Sequence, residues 1–198
     1  MSMSADLTIN ETALLAGVPR SRVEKSIERS IATPVRSKAP SKGASVRLPV
    51  AAVAFFRAME VSGAADLPAK VRRAAWRTIL RDCRARVVLG EGLVLDVPSL
   101  SGEALDRATT YARAKSEFIV ADPTILGGTP VIRGTRLNVH AIKARLDGGE
   151  TVDDLLLDYP DVPREAFEAA RLFATANPLR GRPAGRPWRK APPAEARG

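Results

Sequence analysis

The chain has almost none of the residues that build metal centres, disulfides or imidazole-assisted catalysis: its 198 residues include one cysteine and one histidine. A Cys/His zinc site and a disulfide framework are therefore excluded, and a His-dependent triad has no spare residue. Cys83 reads as a small buried side chain of a reduced protein. Long apolar runs are missing as well. No stretch approaches the roughly 20 residues that span a bilayer, and the N-terminal Met1 to Leu7 has no apolar signal segment, so a cytoplasmic location is expected. Nucleotide signatures are also absent. The glycine-rich run Asp122 to Val139 has neither Gly-Lys-Ser/Thr nor Gly-x-Gly-x-x-Gly spacing. Its Gly127-Gly128 and Arg133-Gly134-Thr135 read as backbone turns around a short strand at Pro130-Val131-Ile132, with Asn138 capping the next helix.

What the chain has in excess is positive charge. Lys and Arg number 31 against 22 Asp and Glu, a net +9, which suggests a polyanionic partner. The excess is uneven. Residues 1–60 and 61–116 each carry +4 and residues 178–198 carry +5, whereas residues 117–177 have six cations against ten carboxylates, a net −4. This distribution argues against one surface serving every partner.

In residues 1–60, Thr8-Ile-Asn-Glu11 has capping-box spacing and predicts a helix from Ile9 that stops at Gly17. A second helix opens near Pro19 and runs to about Ser30. Ala13, Gly17 and Val23 have helix-turn-helix spacing: a small residue at the crossing, a glycine in the turn and an apolar anchor beyond it. Arg20, Ser21, Arg22, Lys25 and Arg29 then lie on or near the exposed part of the second helix, which such folds present to the major groove. Thr33-Pro-Val-Arg36 and Ser45-Val-Arg-Leu48 read as the two strands of a wing. Arg36, Lys38, Lys42 and Arg47 are its phosphate-contacting cations. Pro49 opens a third helix bearing Val50, Val53 and Phe56. The order helix, helix, wing, helix resembles the winged helix-turn-helix domains of MerR-type regulators.

Residues 61–116 read as a connector with a possible dimerising role. Pro68 to Asp82 is an amphipathic helix with Val71, Ala75, Ile79 and Cys83 inward and Arg72, Arg73, Arg77 and Arg81 on its other sides. Arg86 to Leu89 and Leu93 to Val97 flank Gly90-Glu-Gly92 as a hairpin, Ser99 to Ser116 is a further helix, and Glu117 to Val120 is a candidate third strand for that hairpin. The arginine-rich helix suits DNA phosphates or a subunit interface, and the sequence does not choose between them.

Residues 117–177 predict three short helices, Asn138 to Asp147, Thr151 to Asp158 and Pro163 to Ala176. Together they suggest a homeodomain-like trihelical module. Pro123, Ile125, Gly128, Pro130, Ile132, Gly134-Thr135-Arg136, Val139, Gly149 and Asp158-Tyr159-Pro160 resemble the pattern of the bacterial domain family of unknown function numbered 433, over about residues 117–176. The resemblance implies the antitoxin half of a VapBC-like toxin–antitoxin pair, whose toxin carries a PIN-type ribonuclease domain. It implies toxin neutralisation together with binding of operator DNA. The charge of −4 makes this module a poor reader of DNA and assigns it to dimerisation and toxin contact. Asp153, Asp154, Asp158 and Asp161 invite a metal-dependent nuclease reading, but caps and helix ends explain such residues and no base or nucleophile accompanies them.

Residues 178–198 form a basic Pro/Gly/Arg tail expected to be disordered in isolation. Arg180, Arg182 and Arg186, with Trp188 as an apolar anchor, suit insertion into the carboxylate cluster of a PIN-type toxin. Arg180-Gly181-Arg182-Pro183 alternatively resembles an AT-hook core for the minor groove. The toxin reading is preferred.

The expectation is thus a mainly α protein with small β elements, non-enzymatic, without metal or cofactor. It is expected to be a homodimeric antitoxin that autoregulates by binding double-stranded operator DNA. The alternative is a stand-alone winged helix-turn-helix regulator with a C-terminal dimerisation or protein-interaction domain.

Overall fold

In a computed structural model, which describes residues 6–35, 46–90 and 92–179, the chain turns from strand to helix at its first capping residue. Strand β1 (Leu7–Thr8) runs into helix α1 (Ile9–Ala16) through the predicted capping box. Thr8 Oγ1 accepts from the Glu11 amide at 3.2 Å, and Glu11 Oε2 accepts from the Thr8 amide at 2.8 Å. Gly17 ends α1 at φ 66°, where a side chain would be strained and its Cβ would lie 3.3 Å from Arg57 Nη1. Helix α2 (Arg20–Glu28) follows with Pro19 at its N-cap, and it ends two residues before the predicted limit because Ser30 turns to φ 52°.

The wing differs from expectation. Strand β2 (Arg47–Leu48) pairs antiparallel with β1, Leu7 opposite Leu48 and Thr8 opposite Arg47. Residues 33–35 form no strand and reach β2 through one bond, Val35 N to Arg47 O at 2.8 Å. Pro34 has no amide to give a ladder.

Helix α3 (Ala51–Val61) and helix α4 (Ala69–Arg81) are joined through a 3-10 turn at Ala64–Asp66. Strands β3 (Arg86–Gly90) and β4 (Leu93–Asp96) form the predicted hairpin, with Val87, Leu89 and Leu95 inward and Val88 and Val94 outward, as a period of two requires. Asp96 then caps helix α5 (Val97–Phe118), accepting from the Ser99 amide at 3.4 Å. Helix α5 exceeds its predicted span at both ends.

The candidate third strand is corrected. Strand β5 (Ile119–Val120) pairs with strand β6 (Val131–Ile132), Ile119 opposite Ile132, and leaves the β3–β4 hairpin two-stranded. The 22 residues of α5 carry the chain about 33 Å from the hairpin at 1.5 Å per residue, beyond reach of pairing. Helices α6 (Val139–Asp147), α7 (Val152–Asp158) and α8 (Arg164–Ala176) complete the described fold, which is mainly helical with small antiparallel sheets.

The hydrophobic core does not break near residue 60. One cluster takes in Leu7, Val23, Phe55, Trp76, Leu95 and Ala108 and reaches Ala169 of α8. Phe55 stands edge-on to both Phe56 and Trp76, each at 5.1 Å between centroids, and Trp76 Nε1 donates to Thr33 Oγ1 at 3.1 Å. A second cluster around Ile132, Val139, Leu155 and Phe167 holds α6 to α8, and Phe118, Ile119 and Phe173 pack against both. Among the described residues the one buried charged side chain is Glu11, 1% exposed, which accepts from Tyr111 Oη at 2.6 Å and from Lys115 Nζ at 2.9 Å. The N-terminal cap thereby also ties α1 to α5. Among the described residues no helix is long and apolar enough to cross a membrane.

Candidate nucleic-acid interface

Helix α2 buries Val23 and Ser26, and Ser26 Oγ donates back to Arg22 O at 2.9 Å. That burial turns Arg20, Ser21, Lys25 and Arg29 to solvent. Arg22 is half-buried, its Nη1 3.2 Å from Glu60 Oε2 of α3 in an ion pair not aligned as a hydrogen bond. Arg20 Nε donates to Glu24 Oε1 at 2.8 Å one turn on. Among the described residues, neither Lys25 nor Arg29 has a carboxylate partner within ion-pair distance.

Ser21, Arg22, Lys25 and Arg29 line one cavity of about 330 Å³. Arg20 faces elsewhere, toward Asn10, Val46 and Pro178. Arg47 also stands apart, lining a second cavity of about 490 Å³ with Glu11 and Lys115. The expected wing cations Arg36, Lys38 and Lys42 and the expected toxin-binding residues Arg180, Arg182, Arg186 and Trp188 lie outside the described residues.

Helix α4 adds two cations that sequence reasoning did not assign. Arg72 lines the same cavity as Arg22, Lys25 and Arg29, and Arg73 Nη2 donates to Arg29 O at 3.4 Å. Burial, then the charges of Arg29 and Arg22, push the Arg72 guanidinium below its usual pKa, against the pull of Asp66. The signal available in the sequence was the Arg72-Arg73 pair on the polar side of an amphipathic helix. Its partner helix was legible only in three dimensions.

The C-terminal module handles charge differently. Arg145 bonds both Glu150 and Asp158, whose hydrogen bonds hold its pKa above the usual arginine value, and its guanidinium lies 5.9 Å from the Tyr159 ring centroid. Arg164 pairs with Asp153, and Lys143 with Asp147. Asp154 completes a capping box, accepting from the Thr151 amide at 2.8 Å and hydroxyl at 2.7 Å, bonds that hold its carboxyl below the usual range. Asp153, Asp154 and Asp158 therefore have separate partners. Among the described residues no three His, Cys, Asp or Glu side chains are grouped to hold a metal ion.

The glycine-rich run is built of turns. Asp122 Oδ1 accepts from the Thr124 amide and hydroxyl at 2.8 and 2.7 Å, bonds that hold its carboxyl below the usual range. Gly127, Gly128 and Gly134 take φ of 64°, 85° and 77°, and Asn138 Oδ1 caps α6 at the His140 amide, 2.8 Å away. The turns position β6 beside β5 and start α6.

Residues 119–174 match the model of a family described as "Protein of unknown function (DUF433)". Over 114 residues the chain is 37% identical to the uncharacterized protein y4eO of Sinorhizobium fredii (strain NBRC 101917 / NGR234), covering 58% of this chain and 50% of that protein. The chain thus spans about half the length of this curated relative. Among solved structures, the X-ray crystal structure of Rv2018 from Mycobacterium tuberculosis aligns with a TM-score of 0.31 and 19% identity, over 83% of this chain and 95% of that one.

Proposed function

We propose that the chain is a DNA-binding antitoxin whose N-terminal half binds operator duplex and whose acidic C-terminal module and basic tail engage a PIN-type ribonuclease. The observation that carries the DNA part is the set of cations on α2. Ser21, Lys25 and Arg29 are exposed beside Arg22 on a helix anchored by Val23, directly after the Gly17 turn. Cations without carboxylate partners release counterions from DNA phosphates with no internal pair to break first. The Val35–Arg47 bond joins described residues on either side of 36–45, which supports the reading of that segment as a MerR-like wing.

The C-terminal helices take the homeodomain-like trihelical role without its DNA contact. Arg164 on α8 is occupied by Asp153, and Glu165 and Glu168 on the same helix oppose phosphate. The toxin reading rests on what the sequence resemblance implies for the family of unknown function that residues 119–174 match, and on the fit of Arg180, Arg182 and Arg186 to clustered carboxylates.

Co-expression with the product of the adjacent reading frame tests the whole proposal. The expected result is a co-purifying complex without ribonuclease activity that regains RNA cleavage when residues 178–198 are deleted, and that retards a duplex taken from upstream of the gene. A chain that retards the duplex but forms no complex is a stand-alone regulator. A chain that forms the complex but binds no duplex refutes the role given to α2.

A further inference from the structure

The cavity between α2 and α4 adds to the cations of the α2 face one that groove reading by α2 does not require, Arg72. Arg22 and Lys25 of α2, Arg29 at its C-cap and Arg72 of α4 line it, together with the hydroxyl-bearing Ser21 and Ser26. Asp66, in the turn before α4, is the single carboxylate on its wall among the described residues. Arg72 Nε is buried and has no hydrogen-bond partner among the described residues, although a guanidinium N–H withdrawn from water ordinarily finds one. Arg73 bonds the carbonyl of Arg29 and so holds α4 against the last turn of α2.

We propose that this cavity seats one phosphate group of the DNA backbone and that Arg72 is its principal ligand, making α4 a second, sequence-independent contact beside the α2 face. The inference rests on the duplex-DNA reading of α2. A cavity of about 330 Å³ has room for a phosphodiester with part of its sugar. With Arg22 paired to Glu60, a phosphodiester supplies the anion that Lys25, Arg29 and Arg72 lack, and the planar fork of Arg72 matches two non-bridging oxygens. The like charges of Arg22 and Arg29 around Arg72 are costly in the free protein and favourable once the anion enters. Because the contact is to phosphate, it strengthens binding to every duplex alike and fixes the angle at which α2 meets the groove.

The test uses the full chain, a duplex from upstream of its gene and a scrambled duplex of equal length, with binding followed across salt concentrations. Arg72→Gln should weaken both complexes about tenfold and lower the slope of log K against log salt by about 0.9, one phosphate contact. Asp66→Asn should tighten both complexes several-fold, a gain that misfolding cannot produce. In parallel, the Arg72 Nε–H resonance, assigned by its disappearance in Arg72→Gln, is followed during titration with duplex and with inorganic phosphate. Duplex binding by the native chain with no change in either variant and no shift of that resonance overturns the phosphate seat and leaves the α2 reading standing. If the native chain binds no duplex, the α2 reading falls. Phosphate titration then decides the seat: a shift of the Arg72 resonance supports an anion site for free phosphate, and an unmoved resonance overturns it.

Discussion

Two capping boxes open two different parts of this molecule. Thr8 and Glu11 start α1, and Thr151 and Asp154 start α7, with the same reciprocal bonds between side chain and backbone. Asp154 stays exposed and serves its own helix, while Glu11 is buried and also accepts from Tyr111 and Lys115 about a hundred residues away. Charge differs in the same direction. Around α6 to α8, Arg145, Lys143 and Arg164 are neutralised by carboxylates of their own module. Around α2 and α4, Lys25, Arg29 and Arg72 converge on a cavity with one carboxylate. A region whose ion pairs close internally has little attraction left for a polyanion, and a region whose cations are held apart from carboxylates keeps it.

The largest effects should come from the two cores. Trp76→Ala and Phe167→Ala should each cost about 3–5 kcal/mol in urea unfolding. Because Phe118, Ile119 and Phe173 pack on both clusters, each variant should still unfold in one transition. Two separate transitions would make the regions independent and break the comparison.

Next comes Glu11→Ala, which takes the acceptor from Tyr111 Oη and leaves Lys115 Nζ its bond to the Asp6 carbonyl at 3.1 Å, and which should cost about 3 kcal/mol, near the low end for a broken buried pair. Asp154→Ala should lose far less, since water replaces its bonds. Burial pushes the Glu11 carboxyl up, but the Lys115 charge and the bonds from Tyr111 and Thr8 outweigh it and hold the group below its usual range. Its contribution is therefore complete above an unfolded pKa of about 4.3 and is lost as pH falls through the lower folded value. Urea unfolding of Glu11→Gln between pH 3 and 6 should show a flatter acid limb than the native chain, and identical limbs would remove Glu11 from that role.

The third effect is on binding. Lys25→Ala with Arg29→Ala should lower the salt slope of duplex binding by about 1.8, two contacts, with stability within about 0.5 kcal/mol of native. Arg145→Ala should leave that slope untouched. Equal losses from the two variants, measured by fluorescence anisotropy, would show that the internally paired region also meets DNA. The smallest effect is Thr151→Ala, about 1 kcal/mol by thermal unfolding for the loss of a cap that has no tertiary partner.

Much of the local structure was legible in the residues. The start of α1 followed from Thr8 and Glu11, its end from Gly17, the β3–β4 hairpin from Gly90 and Gly92 between alternating apolar residues, and the start of α7 from Thr151 and Asp154. What could not be read was the partner of each element. Leu7 and Thr8 form a strand only because Leu48 and Arg47 lie beside them, and Ile119 pairs with Ile132 instead of extending the hairpin. In the candidate interface, the exposed cations of α2 followed from helical spacing, whereas the separation of Arg20 and Arg47 from the cavity and the arrival of Arg72 did not.

Residues close along the chain settle where α1 and α7 begin, where α1 ends and which half of the chain carries surplus positive charge, because caps, turns and net charge depend on local sequence. The tertiary structure decided which of those charges stay without carboxylate partners. An ion pair forms within a few ångströms, and the distance between Arg72 and Arg29, or between Glu11 and Lys115, is set by how α4 and α5 pack and not by their separation along the chain.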